Sequence, residues 1–296
     1  MRNLLAANFL RLKKSVLFWG TLAFMAGYAL WRMRFWIVFN EVTIDPMIFD
    51  YAGAVGVVAA VWSSLFLGTD YSDGTLRNKL TAGHSRNAVY LAGLITNTSA
   101  ALLQCAAYLA VALGSGSFLI GPPRMEAGRL LLLLAGTLVT VIAFCAIFTA
   151  VGMLCARKTV TAVVCIAGSF ALLGYLSSVD SYLNIPQYSA YIDVPENGAV
   201  SVTYELNSGY VSGTRRAVFV FLDDATPFGQ AVQYMRSRQR DEISLPEDGF
   251  SEAQIEEYRQ HMRPPVAPLP LMAYSLAVIA LSTGAGIALF RRKDLK

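Results

Sequence analysis

Charge is scarce in this sequence. Only 15% of its 296 residues are Asp, Glu, Lys or Arg and 55% are apolar, whereas a soluble domain carries roughly 25% charge. So little charge on so apolar a chain points to an integral membrane protein. Histidine is rarer still: His84 and His261 are the only two. They fall on opposite sides of the membrane in the topology derived below and cannot share a metal. The sequence has no GxxxxGK[ST] loop for nucleotide phosphates, no HExxH and no GxSxG. The acid pairs Asp223-Asp224, Asp241-Glu242 and Glu256-Glu257 read as solvated surface rather than as catalytic pairs. Cys105, Cys145, Cys155 and Cys165 lie inside apolar runs without CxxC spacing, where a thiol acts as a small apolar group. The net charge of +4 is small, and the basic residues form no stripe for nucleic acid. No enzyme constellation remains.

Charge is also missing from six apolar runs, 15–31, 51–69, 87–123, 130–156, 159–179 and 264–290. A membrane-crossing helix needs about 20 such residues. The expected fold is therefore an all-α integral membrane protein with six transmembrane helices. The first run is short and extends toward Phe39 if Arg32 and Arg34 snorkel. The third is long, and Gly114-Ser115-Gly116 is its natural break. A carrier driven by an ion gradient commonly keeps an ionisable residue in the membrane as its coupling group, and none is present in these runs.

Orientation follows from Lys and Arg. With both termini cytoplasmic, thirteen basic residues face inward, including all six lysines, and the two short outer loops carry four. Residues 1–14 form an amphipathic segment. Leu5, Phe9, Leu12 and Val16 follow helical spacing, with Arg11 and Lys14 opposite. This predicts a helix lying in the membrane interface. The competing reading is a signal peptide, but no small-x-small cleavage site ends the segment, so a retained anchor is expected.

The chain then divides into 1–179 (interfacial helix and five spans), 180–263 (an outer loop region) and 264–296 (sixth span and basic tail). The loop region is large enough for a small but marginal domain of mixed α/β character. Residues 199–206 read as a strand, with 210–212 and 217–222 as its return across Asn207-Ser208-Gly209. Thr226-Pro227 opens a helix through 230–235. A second helix is expected over 251–262, with Ser251 and Gln254 at capping-box spacing.

In the third span Asn97 lies eleven residues past Arg86, roughly 16 Å deep at 1.5 Å per residue. Gln104 and Tyr108 continue the same face. Two readings stay open: hydrogen bonding between helices, worth about 0.6–2 kcal/mol each, or the lining of a pathway or dimer seam.

The segment between the second and third spans, residues 68–86, is a compact polar island. Asp73 is placed to cap a short helix. Leu76 and Leu80 share one face of that helix, Arg77 and Lys79 point elsewhere, and Ser85 caps the next span with Arg86 at its water boundary. Such a helix, held between two rigid spans, can receive force from a soluble partner.

Asp70, Gly74-Thr75, Leu76, Leu80 and Ser85-Arg86, in this topological place, resemble the permease subunits of ABC-2 type transporters. These are mostly bacterial exporters whose ATPase is often a separate chain. The resemblance extends to six spans, the interfacial first helix and the basic tail, but not to 180–263. At Asp70 the family more often has Glu. The resemblance implies a multi-pass permease of the bacterial plasma membrane with both termini cytoplasmic, paired with a second permease subunit. Two ATP-binding subunits would carry the ATP and Mg, so that this chain holds no cofactor and has no catalysis of its own. It implies that Asp70, Asp73, Gly74, Thr75, Leu76, Arg77, Leu80, Ser85 and Arg86 form the coupling element. The alternatives are a membrane-anchored sensor or assembly protein whose outer loop binds a ligand, and a self-powered carrier.

Overall fold

The computed structural model describes residues 1–155, 157–193, 201–241 and 262–293. The 251–262 helix with its capping box, the Glu256-Glu257 pair, His261 and tail residues 294–296 lie outside the described residues, except Met262.

The protein is mostly helical, and among the described residues five helices are long and apolar enough to cross a membrane. They are α4 (Tyr51–Ser72), joined to the single turn α3 (Asp45–Ile48); α6 (Arg86–Val111), continuing into α7 (Ser117–Leu119); α8 (Ala127–Leu154); α9 (Lys158–Leu183); and α13 (Pro268–Arg292). The helix expected as the first span is α2 (Val16–Val38), continuous over 23 residues. It is not one of the five. Arg32 and Arg34 fall in its last two turns and dilute its apolar character.

Before it comes α1 (Arg2–Lys14). Ser15 separates the two: its backbone is extended, and its Oγ accepts from the Phe18 N–H at 3.3 Å, capping α2. In α6 the α-helical ladder gives way to a π turn over Ala112–Gly116, at the glycines where a break was expected.

The helix at the centre is α4, which packs against α2, α6, α8, α9 and the later helix α11 (Pro227–Met235). Small residues permit this. A Cβ on Gly56 would come within 2.9 Å of the Phe144 ring and 3.0 Å of Phe228. One apolar cluster fills the bundle around Tyr51, Tyr108, Phe144 and Tyr234. A second, at the end where α4 finishes, gathers Leu4, Leu12, Phe18, Trp62, Leu76 and Phe290.

The region after α9 differs from its sequence reading. The strand at β2 (Ser201–Leu206) is present, but it pairs antiparallel with the preceding β1 (Tyr188–Asp193), Tyr188 opposite Leu206. The expected return over 217–222 is helical instead, inside α10 (Gly213–Ala225). Next come α11 (Pro227–Met235) and α12 (Ser237–Asp241). Thr226 caps α11 as expected, its Oγ1 accepting from the Gly229 N–H at 3.2 Å. Yet α11 is not a solvated loop helix. Pro227 through Tyr234 are all buried, against α4, α8 and α9.

Candidate functional site

The polar island folds into α5 (Thr75–Thr81), reached from α4 through Gly74. Gly74 has φ of 66°, a left-handed conformation that a residue with a Cβ adopts only at a cost. This glycine stands where Asp73 was expected to cap. Asp73 instead ends α4, and its carboxylate accepts from the Ser72 hydroxyl at 3.0 Å.

The organising residue is Asp70. It is 2% exposed, in the last turn of α4. Its carboxylate accepts from the Thr75 hydroxyl at 2.6 Å and pairs with Lys79 at 3.1 Å and with Arg11 of α1. Arg11 also donates to the Phe66 carbonyl and lies 3.8 Å from the centre of the Phe66 ring. Lys79 reaches Asn8 as well, at 3.2 Å. Arg11 and Lys79, both assigned to outward faces by sequence spacing, therefore turn inward, because their long stems carry the charge to a buried acid. One carboxylate ties α1, α4 and α5 together.

The apolar face of α5 is also used internally. Leu76 is 2% exposed and packs into the cluster of Leu4, Leu12 and Trp62, with Leu80 partly buried beside it. What α5 leaves in the open is polar: Asp73, Arg77, Asn78 and Thr81 are exposed. Any soluble partner meets that face rather than the leucines.

Cationic caps finish this end of the bundle. Ser85 caps α6, accepting from the Ala88 N–H at 3.2 Å. Arg86 donates to the carbonyls of Phe290, Arg291 and Lys293 at the C-terminus of α13. Lys293 donates to the Leu154 carbonyl at 2.9 Å, at the end of α8, and to the Tyr71 hydroxyl at 2.9 Å. Burial lowers the Lys293 pKa. A cation at a helix C-terminus is favourable because the last carbonyls lack partners and carry partial negative charge.

The polar stripe of α6 is wholly internal. Asn97 donates to Thr149 of α8 at 3.0 Å, Gln104 to Thr21 of α2 at 2.8 Å, and Tyr108 to the Met47 carbonyl at 2.8 Å. All three are buried. These are bonds between helices, as the first of the two readings has them.

At the opposite end of the bundle a second charged knot was not legible as such. Asp180 and Asp223 are both fully buried. Arg263 bridges them, at 2.6 Å to Asp180 and 2.5 Å to Asp223, and Arg236 adds a second contact to Asp180 at 2.7 Å. Asp223 is thus not solvated surface. Burial pushes its pKa up to about 7 against the opposing pull of Arg263, with Asp180 and Asp224 adding to the rise. Arg240, also desolvated and beside Arg263, falls to about 10. The adjacent Asp224 accepts from Gln233 at 2.8 Å.

No protein-family model matches the chain, and no curated protein matches its sequence.

Proposed function

We propose that this chain is the membrane-spanning permease subunit of an ATP-driven ABC-2 type exporter. In this reading it crosses a bacterial plasma membrane six times, α2 being the first span. Both termini are cytoplasmic, and the region from α9 to α13 lies on the outer side as a mixed α/β loop region. It pairs with a second permease subunit, and α5 is the coupling helix that rests on a separate ATPase carrying ATP and Mg.

The observation that supports this reading most is the build of α5. A short helix between two long apolar ones is pinned to α1 and α4 through Asp70, and it offers Asp73, Arg77, Asn78 and Thr81 to a partner. A push on that face passes into α4, the most enclosed of the five long helices. A sensor that only anchors an outer loop has no use for such a device.

The test is a mild-detergent pull-down of the tagged chain from its native membrane. A stoichiometric soluble chain bearing GxxxxGK[ST] is expected. Arg77→Glu should reduce stimulation of that ATPase while stability stays within about 0.5 kcal/mol. A clean preparation without any ATPase, repeated under crosslinking, sinks the reading in favour of the sensor.

A further inference from the structure

Two clefts on the flank of the bundle run into each other. The first, about 660 Å³, opens at the α12 end; Arg32, Arg236 and Arg238 line it with Glu41 and Asp50, beside the rings of Phe35 and Trp36. The second, about 550 Å³, is a groove with α4 as its floor and α2 and α9 as its walls. Phe24, Val57, Val61 and Phe170 are among its lining, and the polar side chains there are Thr21 and Tyr28. Leu173 and Met235 line both clefts and join them. Each volume falls in the range of small-molecule sites, roughly 300–1,000 Å³.

Free donors decide the occupant. Three arginines and two acids line the first cleft, and Arg236 is held by the buried Asp180 at 2.7 Å. Glu41 pairs with Arg238 at 2.9 Å, and Asp50 takes the Arg32 Nε at 2.6 Å. The Arg32 guanidinium lies 4.8 Å from the Phe35 ring centre and 5.3 Å from that of Trp36. Its Nη groups hold no bond among the described residues. A planar guanidinium with free N–H donors suits the oxygens of a phosphate. Below it the groove offers only a place for an aliphatic chain.

We infer that the joined clefts bind one anionic phospholipid, its phosphate at Arg32 and the neighbouring arginines and one acyl chain along the α2–α4–α9 groove. A soluble anion would leave the groove empty. A second copy pressed on the groove would leave the arginine cleft unfilled. That this lipid is also cargo rests on the export reading; that it binds does not.

The experiment uses the full chain in phosphatidylcholine nanodiscs, titrated with phosphatidylglycerol bearing a photoreactive group on one acyl chain. Crosslinks are mapped by mass spectrometry. Saturable labelling at Val57, Phe170 and Leu173 is expected. Gly20 also lines the groove, and a Cβ there meets no atom within 4 Å, so Gly20→Phe fills the groove without a clash at the backbone and should abolish labelling at those positions. Arg238→Gln should weaken phosphatidylglycerol binding roughly fivefold, the worth of one partly exposed charge contact, and leave a phosphatidylcholine probe unchanged. Thermal unfolding of both variants shows that the fold is kept. Labelling spread evenly around the helices, or equal for both lipids and indifferent to Gly20→Phe, marks unspecific boundary lipid and overturns the inference. Chain-to-chain crosslinks at Phe170 in place of lipid give the groove to a second copy, and full competition by inorganic phosphate gives the cleft to a soluble anion; either also overturns it. Lipid labelling as expected in a chain that recruits no ATPase upholds this site and removes the export reading alone.

Discussion

The Arg86 guanidinium donates to the Phe290 carbonyl at 2.9 Å across 204 positions of sequence. The first residue of α6 thereby closes the open end of α13, and Lys293, just past α13, does the same for α8. Two helix ends that would each leave carbonyls without an intrahelical partner are satisfied by cations from elsewhere in the chain.

Replacing Arg86 with Ala should therefore cost about 1–2 kcal/mol, the loss of a charged hydrogen-bond donor shared by several acceptors. Thermal unfolding in detergent measures it. An equal melting temperature in the variant would show that water satisfies those carbonyls as well.

Asp70→Asn should loosen α1 and α5 together. Removing one partner of a buried ion pair costs about 3–5 kcal/mol when both are enclosed. Here Arg11 is 33% exposed and Lys79 18%, so about 1–3 kcal/mol is expected after solvent screening. Hydrogen exchange should rise in α1 and α5 and stay level in α8.

Leu76→Ala should cost about 2–4 kcal/mol by opening a cavity, and Leu76→Asp should prevent folding. Substitutions meant to disturb a partner's contact without harming the chain belong at Arg77 and Asn78. A fully folded Leu76→Asp protein would contradict the packing described here.

Gly229 faces the Asp223 backbone so closely that an added Cβ would sit 2.6 Å from the Asp223 Cα. Gly229→Ala should destabilise by about 1–3 kcal/mol or more through overpacking. Gly20→Ala, where nothing is near, is the matched control. Denaturant unfolding compares the two.

The Asp223 pKa is raised by burial from 3.8 to about 7. The native state then holds this proton more tightly than the unfolded chain. The group's contribution to stability is complete below about pH 4 and is lost as pH rises toward 7. Melting temperatures taken from pH 4 to 8 should therefore fall more steeply for the wild type than for Asp223→Asn. Parallel curves would show that the carboxyl is ionised throughout.

Some of this could be read directly from the sequence because a simple period or cap carried it. Ser85 and Thr226 cap where their types and positions predicted. The Asn97, Gln104 and Tyr108 face follows from helical spacing alone. Other features were hidden for physical reasons. Residues 217–222 are a short apolar run of high β-propensity, yet packing against α11, α9 and α13 makes them helical, a tertiary context overriding a local preference. At nine residues, α11 is too short to give a membrane signal, so its burial could not be foreseen. Arg11 and Lys79 look solvated on a helical wheel, and only the position of Asp70 in space draws them in.

The buried helix α11 sets an order for biogenesis. Its Gln230 donates to the Leu271 carbonyl at 3.1 Å and accepts from Ser275 at 2.5 Å, both on α13, and from Thr140 of α8 at 2.8 Å. A chain emerging from the ribosome makes α8 and α11 first and supplies Leu271 and Ser275 afterwards. Until α13 has inserted, the Gln230 amide holds only Asp224 and Thr140 and lacks its two α13 partners. A nascent chain stalled before α13 thus carries a half-satisfied amide inside the bundle, and insertion of α13 completes its bonding.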